Sequence, residues 1–221
     1  MKPADFELLA STIKQRSGLV LTPEKAYLLE SRLLPVVRKY NLRTLEELTD
    51  AVRKKREEVV LRDITESMTT NESFFFRDQK PFTMFQKTLL PQLLTSRAAQ
   101  KKIRIWSAAS SSGQEAYSLA MICVEEAAKL QGWKVEIIGT DLSREMVERS
   151  KAGIYSQFEV QRGLPVTHLV KYFTQLGGDK WQIKENLRQM VQFREGNLLQ
   201  DFGSLGTFDI VYCRNVLIYF D

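Results

Sequence analysis

The feature that most constrains this chain is a change of grammar near residue 100. Ile103–Trp106 reads as a short buried strand, and Gly113–Leu130 as a helix with Ala116, Leu119, Ala120 and Cys123 on one face. Val135–Gly139 reads as a second strand. It is followed by Asp141-Leu142-Ser143 and another helix, and Val191–Phe193 and Phe208–Tyr212 read as further strands. Strands alternating with helices at this spacing predict an α/β fold built on a doubly wound parallel sheet. Such sheets take ligands beyond the carboxyl ends of their strands. One stretch breaks the alternation. Lys171–Gln175 and Lys180–Lys184 flank Leu176-Gly177-Gly178-Asp179 as a hairpin, which predicts a small antiparallel β insertion at about 168–186.

Before residue 100 no strand pattern occurs, and residues 1–68 read as an all-helical domain preceding a domain over 69–221. Phe6, Leu9, Ala10 and Ile13 follow helical spacing, and Ser17-Gly18 ends that segment. Thr22-Pro23-Glu24 offers an N-cap and a first-position proline for a second helix. Thr44-Leu45-Glu46-Glu47 is a capping-box pattern opening a third. Arg53-Lys54-Lys55-Arg56 forms one basic turn in or after that helix.

Composition narrows the class. The chain has 221 residues and a net charge of +5. Residues 1–62 carry 13 Lys and Arg against 9 Asp and Glu, so most of the excess lies in the helical part. A basic face steers an acidic partner, protein or nucleic acid, or is simply a solvated helix surface. No apolar run approaches the roughly 20 residues of a membrane span, and Met1–Ala10 lacks a signal-peptide pattern. Cys123 and Cys213 are the only cysteines, too few for a disulfide framework or a zinc site, and both sit in apolar contexts as core residues. A reducing cytoplasm is the expected compartment, and no metal is expected.

Five stretches carry chemistry. "IWSAASSSGQEAYSLAM", Ile105–Met121, passes from strand to helix through small residues that let the backbone approach a ligand; the helix start offers free N–H groups. It is not the G-x-G-x-x-G fingerprint, so a pyrophosphate is not required. Asp141, just after the second strand, stands where nucleotide binders place an acid for ribose hydroxyls; capping the next helix is the alternative, a role Ser143 can also fill. In "TTNESFFFR", Thr69–Arg77, three consecutive phenylalanines do not fit one helical face, and Arg77 beside them needs a partner such as a carboxylate from substrate or ligand; an ordinary aromatic core with an arginine salt bridge is the alternative. Gly196-Asn197-Leu198 and Arg214-Asn215 lie at the ends of the last two strands, and Tyr219 follows Asn215 by about a turn.

Together these stretches resemble the CheR family of chemotaxis receptor methyltransferases, S-adenosylmethionine-dependent protein-glutamate O-methyltransferases. The resemblance rests on "TTNESFFFR", "IRIWSAASSSGQEAYSLAM", "IIGTDLSREMVERSKAGIY", "KYF", "GNLL" and "FDIVYCRNVLIYFD", in order across most of residues 69–221. It implies cofactor contacts at Asn71, Ser73, Arg77, Glu115, Asp141, Asn197, Leu198, Asn215 and Val216. In this family Asp141 matches the acid on the ribose, and Glu115 the acid near the methionine end. Arg77 and Tyr219 match residues near the transferred methyl and are the candidate catalytic pair. The family's helical domain faces the receptor, which suits the basic excess here. Ser73 stands where many relatives have Thr, and Gln114 and Ala116 replace Glu and Pro of the commoner G-E-E-P-Y form. Relatives continue past "IYFD", so the last strands of the sheet are expected to be missing from this chain. The short Leu176–Asp179 loop is expected to mark a member independent of a receptor C-terminal pentapeptide.

The chemistry is consistent with the residue inventory. A glutamate carboxylate is already ionised at neutral pH, so methyl transfer to it needs no general base; alignment and exclusion of water suffice. The lone His168 is expected to be structural. Two other classes stay open on sequence alone: a nucleic-acid methyltransferase, which needs a basic groove with aromatic stacking, and a non-catalytic cofactor- or receptor-binding module. A dinucleotide oxidoreductase is disfavoured by the absent glycine fingerprint.

Overall fold

A computed structural model describes residues 1–55 and 57–221, so the expected basic turn at 53–56 is only partly covered: Arg56 lies outside the described residues. By internal contacts the chain divides into two compact units. One comprises Met1–Thr70 with Asn197–Leu199 and Asn215–Asp221; the other comprises Asn71–Gly196 and Gln200–Arg214.

The first unit is helical: α1 (Pro3–Ser17), α2 (Ala26–Lys39), α3 (Leu45–Lys55) and α4 (Glu58–Ser67). Gly18 ends α1 in the left-handed region at φ 78°, where a Cβ is costly. Thr22 and Pro23 open a single 3₁₀ turn, Pro23–Lys25, rather than α2 itself. At α3 the Thr44 hydroxyl accepts from the Glu47 N–H at 3.2 Å, while the Glu47 carboxylate reaches the Arg43 N–H at 2.8 Å, one residue upstream of a capping box. Leu9, Ile13, Leu29, Leu33, Leu48 and Ile64 are fully buried between these helices. Arg32 on α2 donates to the Met68 carbonyl at 2.8 Å, satisfying an orphan acceptor just past α4.

In the second unit α5 (Lys80–Met84), a π-helical turn and α6 (Leu90–Ser96) precede the first strand. Then follow β1 (Lys102–Ala108), α7 (Gln114–Glu125), β2 (Lys134–Asp141) and α8 (Arg144–Ala152). An excursion through β3 (Ile154–Ser156), α9 (Gln157–Gln161), α10 (Val166–Tyr172), β4 (Phe173–Gly177), β5 (Lys180–Ile183) and α11 (Glu185–Arg188) leads to β6 (Val191–Glu195) and β7 (Ile210–Cys213). The main sheet is parallel throughout, in the order β6-β2-β1-β7. The chain winds from β1 through β2 to β6, then returns to the other side of β1. All four strands therefore end on one edge, and the winding changes direction at β1. Arg104 on β1 sits opposite Glu136 on β2 and bonds it at 2.8 Å, so charge as well as apolar pattern fixes the register.

The alternating strand pattern gave the sheet, and the details depart from it in three places. The helix after β1 stops at Glu125; beyond it the backbone tightens into three-residue bonds such as Ala127 N–H to Val124 O. Lys171 and Tyr172, expected in the hairpin, end helix α10 instead; His168 also lies on that helix. The antiparallel sheet has three strands, in the order β3-β5-β4, because Ile154–Ser156 joins the hairpin from upstream. No described helix is long and apolar enough to cross a membrane.

Candidate functional site

The turn between β1 and α7 is the centre of the α/β unit's strand-end edge. Ser110, Ser111, Ser112, Gly113 and Gln114 are all buried. Ala109 and Ser111 adopt φ of 54° and 50°, and Gly113 φ 92°. A Cβ on Gly113 would also come within 2.9 Å of the Phe193 ring and the Ser150 hydroxyl, so glycine is required there on two counts. The turn's polar groups are tied inward. Tyr155 donates to the Ser112 carbonyl at 2.6 Å, Ser150 to the Ser111 carbonyl at 3.0 Å, and the Ser111 hydroxyl to the Asn71 carbonyl at 2.8 Å. The Ser110 hydroxyl is the exception: it is buried and has no hydrogen-bond partner among the described residues.

Two carboxylates flank this turn. Asp141, at the end of β2, is 6% exposed and accepts from the Ser111 N–H at 2.7 Å and the Ser143 N–H at 2.9 Å. It therefore fastens the β1–α7 turn to the β2–α8 turn. The N-cap of α8 is Ser143, whose hydroxyl accepts from Met146. Burial raises the Asp141 carboxyl above its usual pKa, against the opposing effect of these N–H donors. Two oxygens carry about four acceptor positions, so lone pairs remain for a ligand's hydroxyls. Glu115, in the first turn of α7, accepts from the Ser107 hydroxyl at 2.8 Å and from Arg214 at 2.9 Å. Burial raises its pKa as well, with Ser107 and Arg214 opposing.

The Thr69–Arg77 stretch divides its aromatic side chains. Phe75 is fully buried against Tyr155 and Phe173, with ring centres 5.0 and 5.5 Å away. Phe76 meets Phe82 and His168, and its N–H donates to Ser118 on α7 at 3.0 Å. Phe74 lies under the guanidinium groups of Arg77 and Arg162, at 5.5 and 4.4 Å. Within the chain Arg77 donates to the Glu72 carbonyl at 2.9 Å, not to a carboxylate of an ordinary core salt bridge. Asn71 and Ser73 are half-buried on the same segment. The pairing of Glu115 with Arg214 was not anticipated. A lone arginine ending the apolar run "DIVYCR" is the signal that could have found it, because a half-buried guanidinium requires an anion.

The remaining candidates group by contact with the helical unit. Asn197 donates its amide to the Arg16 carbonyl at 2.5 Å and accepts from the Leu199 N–H at 3.0 Å. Leu198 and Val216 are half-buried and Asn215 is exposed, at φ 57°. Tyr219 closes a 3₁₀ turn, Leu217–Tyr219, and its carbonyl accepts from the Val20 N–H at 2.9 Å. The lone His168 packs edge-on between Phe76 and Tyr172, and burial lowers its pKa. Cys123 is buried and Cys213 half-buried, both as free thiols.

The donor set of the α/β unit fits a ligand bearing an ammonium and vicinal hydroxyls. The buried Asp141 and the half-buried Glu115 keep acceptor capacity, and the buried Ser110 hydroxyl in the turn ahead of Glu115 has no partner among the described residues. Comparison with known proteins agrees with that chemistry. The family model described as CheR methyltransferase, SAM binding domain, matches residues 71–221, and that described as CheR methyltransferase, all-alpha domain, matches residues 4–65. The chain is 42% identical over 221 residues to chemotaxis protein methyltransferase 1 of Pseudomonas aeruginosa, covering 98% of this chain and 80% of that protein. It is 41% identical over 210 residues to a chemotaxis protein methyltransferase of Vibrio anguillarum, covering 94% of this chain and 75% of that one. A chemotaxis protein methyltransferase of Borreliella burgdorferi is 34% identical over 221 residues, with 98% and 78% covered.

Proposed function

The chain belongs to the CheR methyltransferase family, and on that premise we propose that it methylates glutamate side-chain carboxylates of methyl-accepting chemotaxis receptors, giving methyl esters for sensory adaptation. The observation that carries the reading is the pair of carboxylates, half-buried Glu115 and buried Asp141, set on either side of the small-residue turn at the strand-end edge. Asp141 takes the ribose hydroxyls and Glu115 the methionine ammonium. Asn71, Ser73 and Arg77 contribute from the segment before α5, and Asn197 with Leu198 and Asn215 with Val216 from the ends of β6 and β7. S-adenosylmethionine supplies, when bound, a methyl group activated by a sulfonium.

The chain's own residues then have modest work. The acceptor glutamate is ionised at neutral pH, with an ordinary pKa near about 4.3, so no base is required. Arg77 orients the incoming carboxylate, and Tyr219 hydrogen-bonds it. His168, held between two aromatic rings, takes no part. Residues 1–68 are the receptor-facing part, residues 69–221 the catalytic part, and the cytoplasmic domain of the receptor is the partner, which places the protein in the cytoplasm. The hairpin supports independence from a C-terminal pentapeptide: only Gly178 and Asp179 separate β4 from β5.

The test uses S-adenosylmethionine labelled in its methyl group and a receptor cytoplasmic fragment. A carboxyl methyl ester is cleaved by mild base, releasing volatile labelled methanol. Base-labile label on wild-type receptor, lost when its methylatable glutamates become alanine, is the expected result. Base-stable label would overturn the ester assignment. Unchanged kcat/KM in Arg77→Ala would overturn the orienting role.

A further inference from the structure

We propose that Glu72 is a resident stand-in for the acceptor: its carboxylate occupies Arg162, a second arginine beside Arg77, and yields that place to the carboxylate of the incoming substrate. The inference rests on the reading of Arg77 as the residue that orients the acceptor, and it adds a specificity-determining pair, Glu72 and Arg162, to that site.

Two segments of the α/β unit build the cluster. Glu72 and Phe74 precede α5, and Arg162 follows directly on α9. Arg162 donates to the Glu72 carboxylate at 2.6 Å, and its guanidinium lies 4.4 Å from the Phe74 ring centre. Arg77 lies 5.5 Å from the same ring centre and donates to the Glu72 carbonyl at 2.9 Å. Two cations therefore share one aromatic ring and one glutamate.

The backbone fixes the place of Arg162 more firmly than that of the Glu72 side chain. Gly163 adopts φ 82°, and a Cβ there would stand 2.1 Å from the Phe75 carbonyl oxygen, so the two segments meet main chain to main chain. The ring of Phe74 continues to hold the Arg162 guanidinium when Glu72 swings away. The Glu72 side chain is 55% exposed and that of Arg162 41%. Water and salt screen an ion pair this open, so exchanging it for a pair with another molecule costs little.

The chemistry of the stand-in matches that of the substrate. Glu72 carries the same side chain as the acceptor proposed for this chain. Arg162 first, and then the charge of Arg77, hold its carboxyl below the usual carboxylate range, so it is an anion at neutral pH, as the acceptor is. A carboxylate at this point lies in the field of both guanidiniums. The tethered carboxylate competes with the incoming one for Arg162, so it raises the KM for the acceptor and leaves the methyl donor untouched.

The experiment measures base-labile methyl transfer to the receptor fragment by the wild-type chain, Glu72→Ala, Arg162→Met and the double variant, with S-adenosylhomocysteine titrated calorimetrically into each. Glu72→Ala keeps the backbone carbonyl that Arg77 uses. It should lower the KM for receptor by about two- to fivefold, with kcat and S-adenosylhomocysteine affinity unchanged. Arg162→Met should raise that KM by about fivefold or more. In its background Glu72→Ala should then change nothing, because the competition runs through Arg162. An unchanged or higher KM in Glu72→Ala makes the pair an ordinary surface salt bridge and overturns the inference; this variant carries the test alone where Arg162→Met does not fold. Effects that simply add in the double variant overturn it as well, leaving only the general field of two charges. A wild-type chain that binds S-adenosylhomocysteine but transfers no methyl to receptor sinks the acceptor reading and the inference with it, whereas the two preceding results sink the inference alone.

Discussion

Replacing Asp141 by asparagine separates the fastening of two turns from the ribose contact proposed for the same carboxylate. In the wild-type chain both oxygens accept backbone N–H groups, from Ser111 at 2.7 Å and Ser143 at 2.9 Å, in a position only 6% exposed. Asparagine offers one oxygen and one NH₂. Whichever way the amide turns, a donor faces one of the two N–H groups, and that N–H is left buried without a partner. The cost is about 1–3 kcal/mol. In urea, with a slope of about 1–3 kcal/mol per molar, the unfolding midpoint falls by roughly 1 M. Ribose hydroxyls lose one acceptor as well, so S-adenosylhomocysteine should bind about tenfold more weakly. Urea unfolding reads the first effect and calorimetry the second. An unchanged midpoint would refute the fastening of the two turns by this carboxylate. A lowered midpoint with unchanged affinity would leave Asp141 as a fastener alone and refute its ribose role.

Gly139→Ala places a Cβ 2.6 Å from two atoms of the Phe193 ring and 3.0 Å from the Ser110 hydroxyl, so overpacking should cost about 1–3 kcal/mol in urea unfolding and disturb the cofactor turn in the same titration; wild-type values for both would mean that Phe193 yields freely. Lys134 first, with Arg104 and Lys102, holds the Glu136 carboxyl down at about 2 against burial. Its folded value lies below the unfolded one of about 4.3, so its contribution is full above that value and is lost as the pH falls through about 2. Glu136→Gln should therefore be less stable than wild type at neutral pH and converge with it in strong acid; parallel curves would contradict the cluster. Burial pushes the Cys123 thiol up to about 12, so a thiol reagent at about pH 8 should reach it only on unfolding. Rapid labelling of Cys123 in the native chain would show that α7 opens.

What the sequence discloses follows from how local each signal is. β1 and β2 are visible because a short apolar run needs only its own residues and its flanking polar turns. β3 is invisible by the same measure: Ile154–Ser156 is three residues long, and it becomes a strand only because β5 offers it a partner. Lys171 and Tyr172 read as strand, yet they finish α10, where Lys171 and the Tyr172 hydroxyl both bond Glu125 on α7. Among the site residues, Glu115 and Asp141 could be placed at strand and helix ends from their spacing alone. The partner of Glu115 could not, since Arg214 lies 99 residues away and only the return of β7 beside β1 brings it close. The carbonyl that Arg77 bonds within the chain was hidden for a related reason. The segment folds back on itself, and the nearest acceptor is the carbonyl of Glu72.

The distribution of backbone strain in the α/β unit ties these observations together. Non-glycine residues at positive φ cost about 1–3 kcal/mol each. Phe76, Asp78 and Gln79 form one such group, Ala109 and Ser111 another. The first group surrounds Arg77, and the second leads into the turn before Glu115. Each is pinned by hydrogen bonds from elements distant in sequence: Phe76 by Ser118, the Arg77 carbonyl by Arg214, the Ser111 N–H by Asp141 and its carbonyl by Ser150. The two groups are also joined, through the Ser111 hydroxyl on the Asn71 carbonyl. Relaxed turns would serve a purely structural connection at no such cost. Strain held in place by convergent contacts fixes the two segments before any ligand arrives, so binding need not spend free energy on ordering them. A protein whose chemistry requires alignment rather than a catalytic base has most to gain from rigidity placed at these positions.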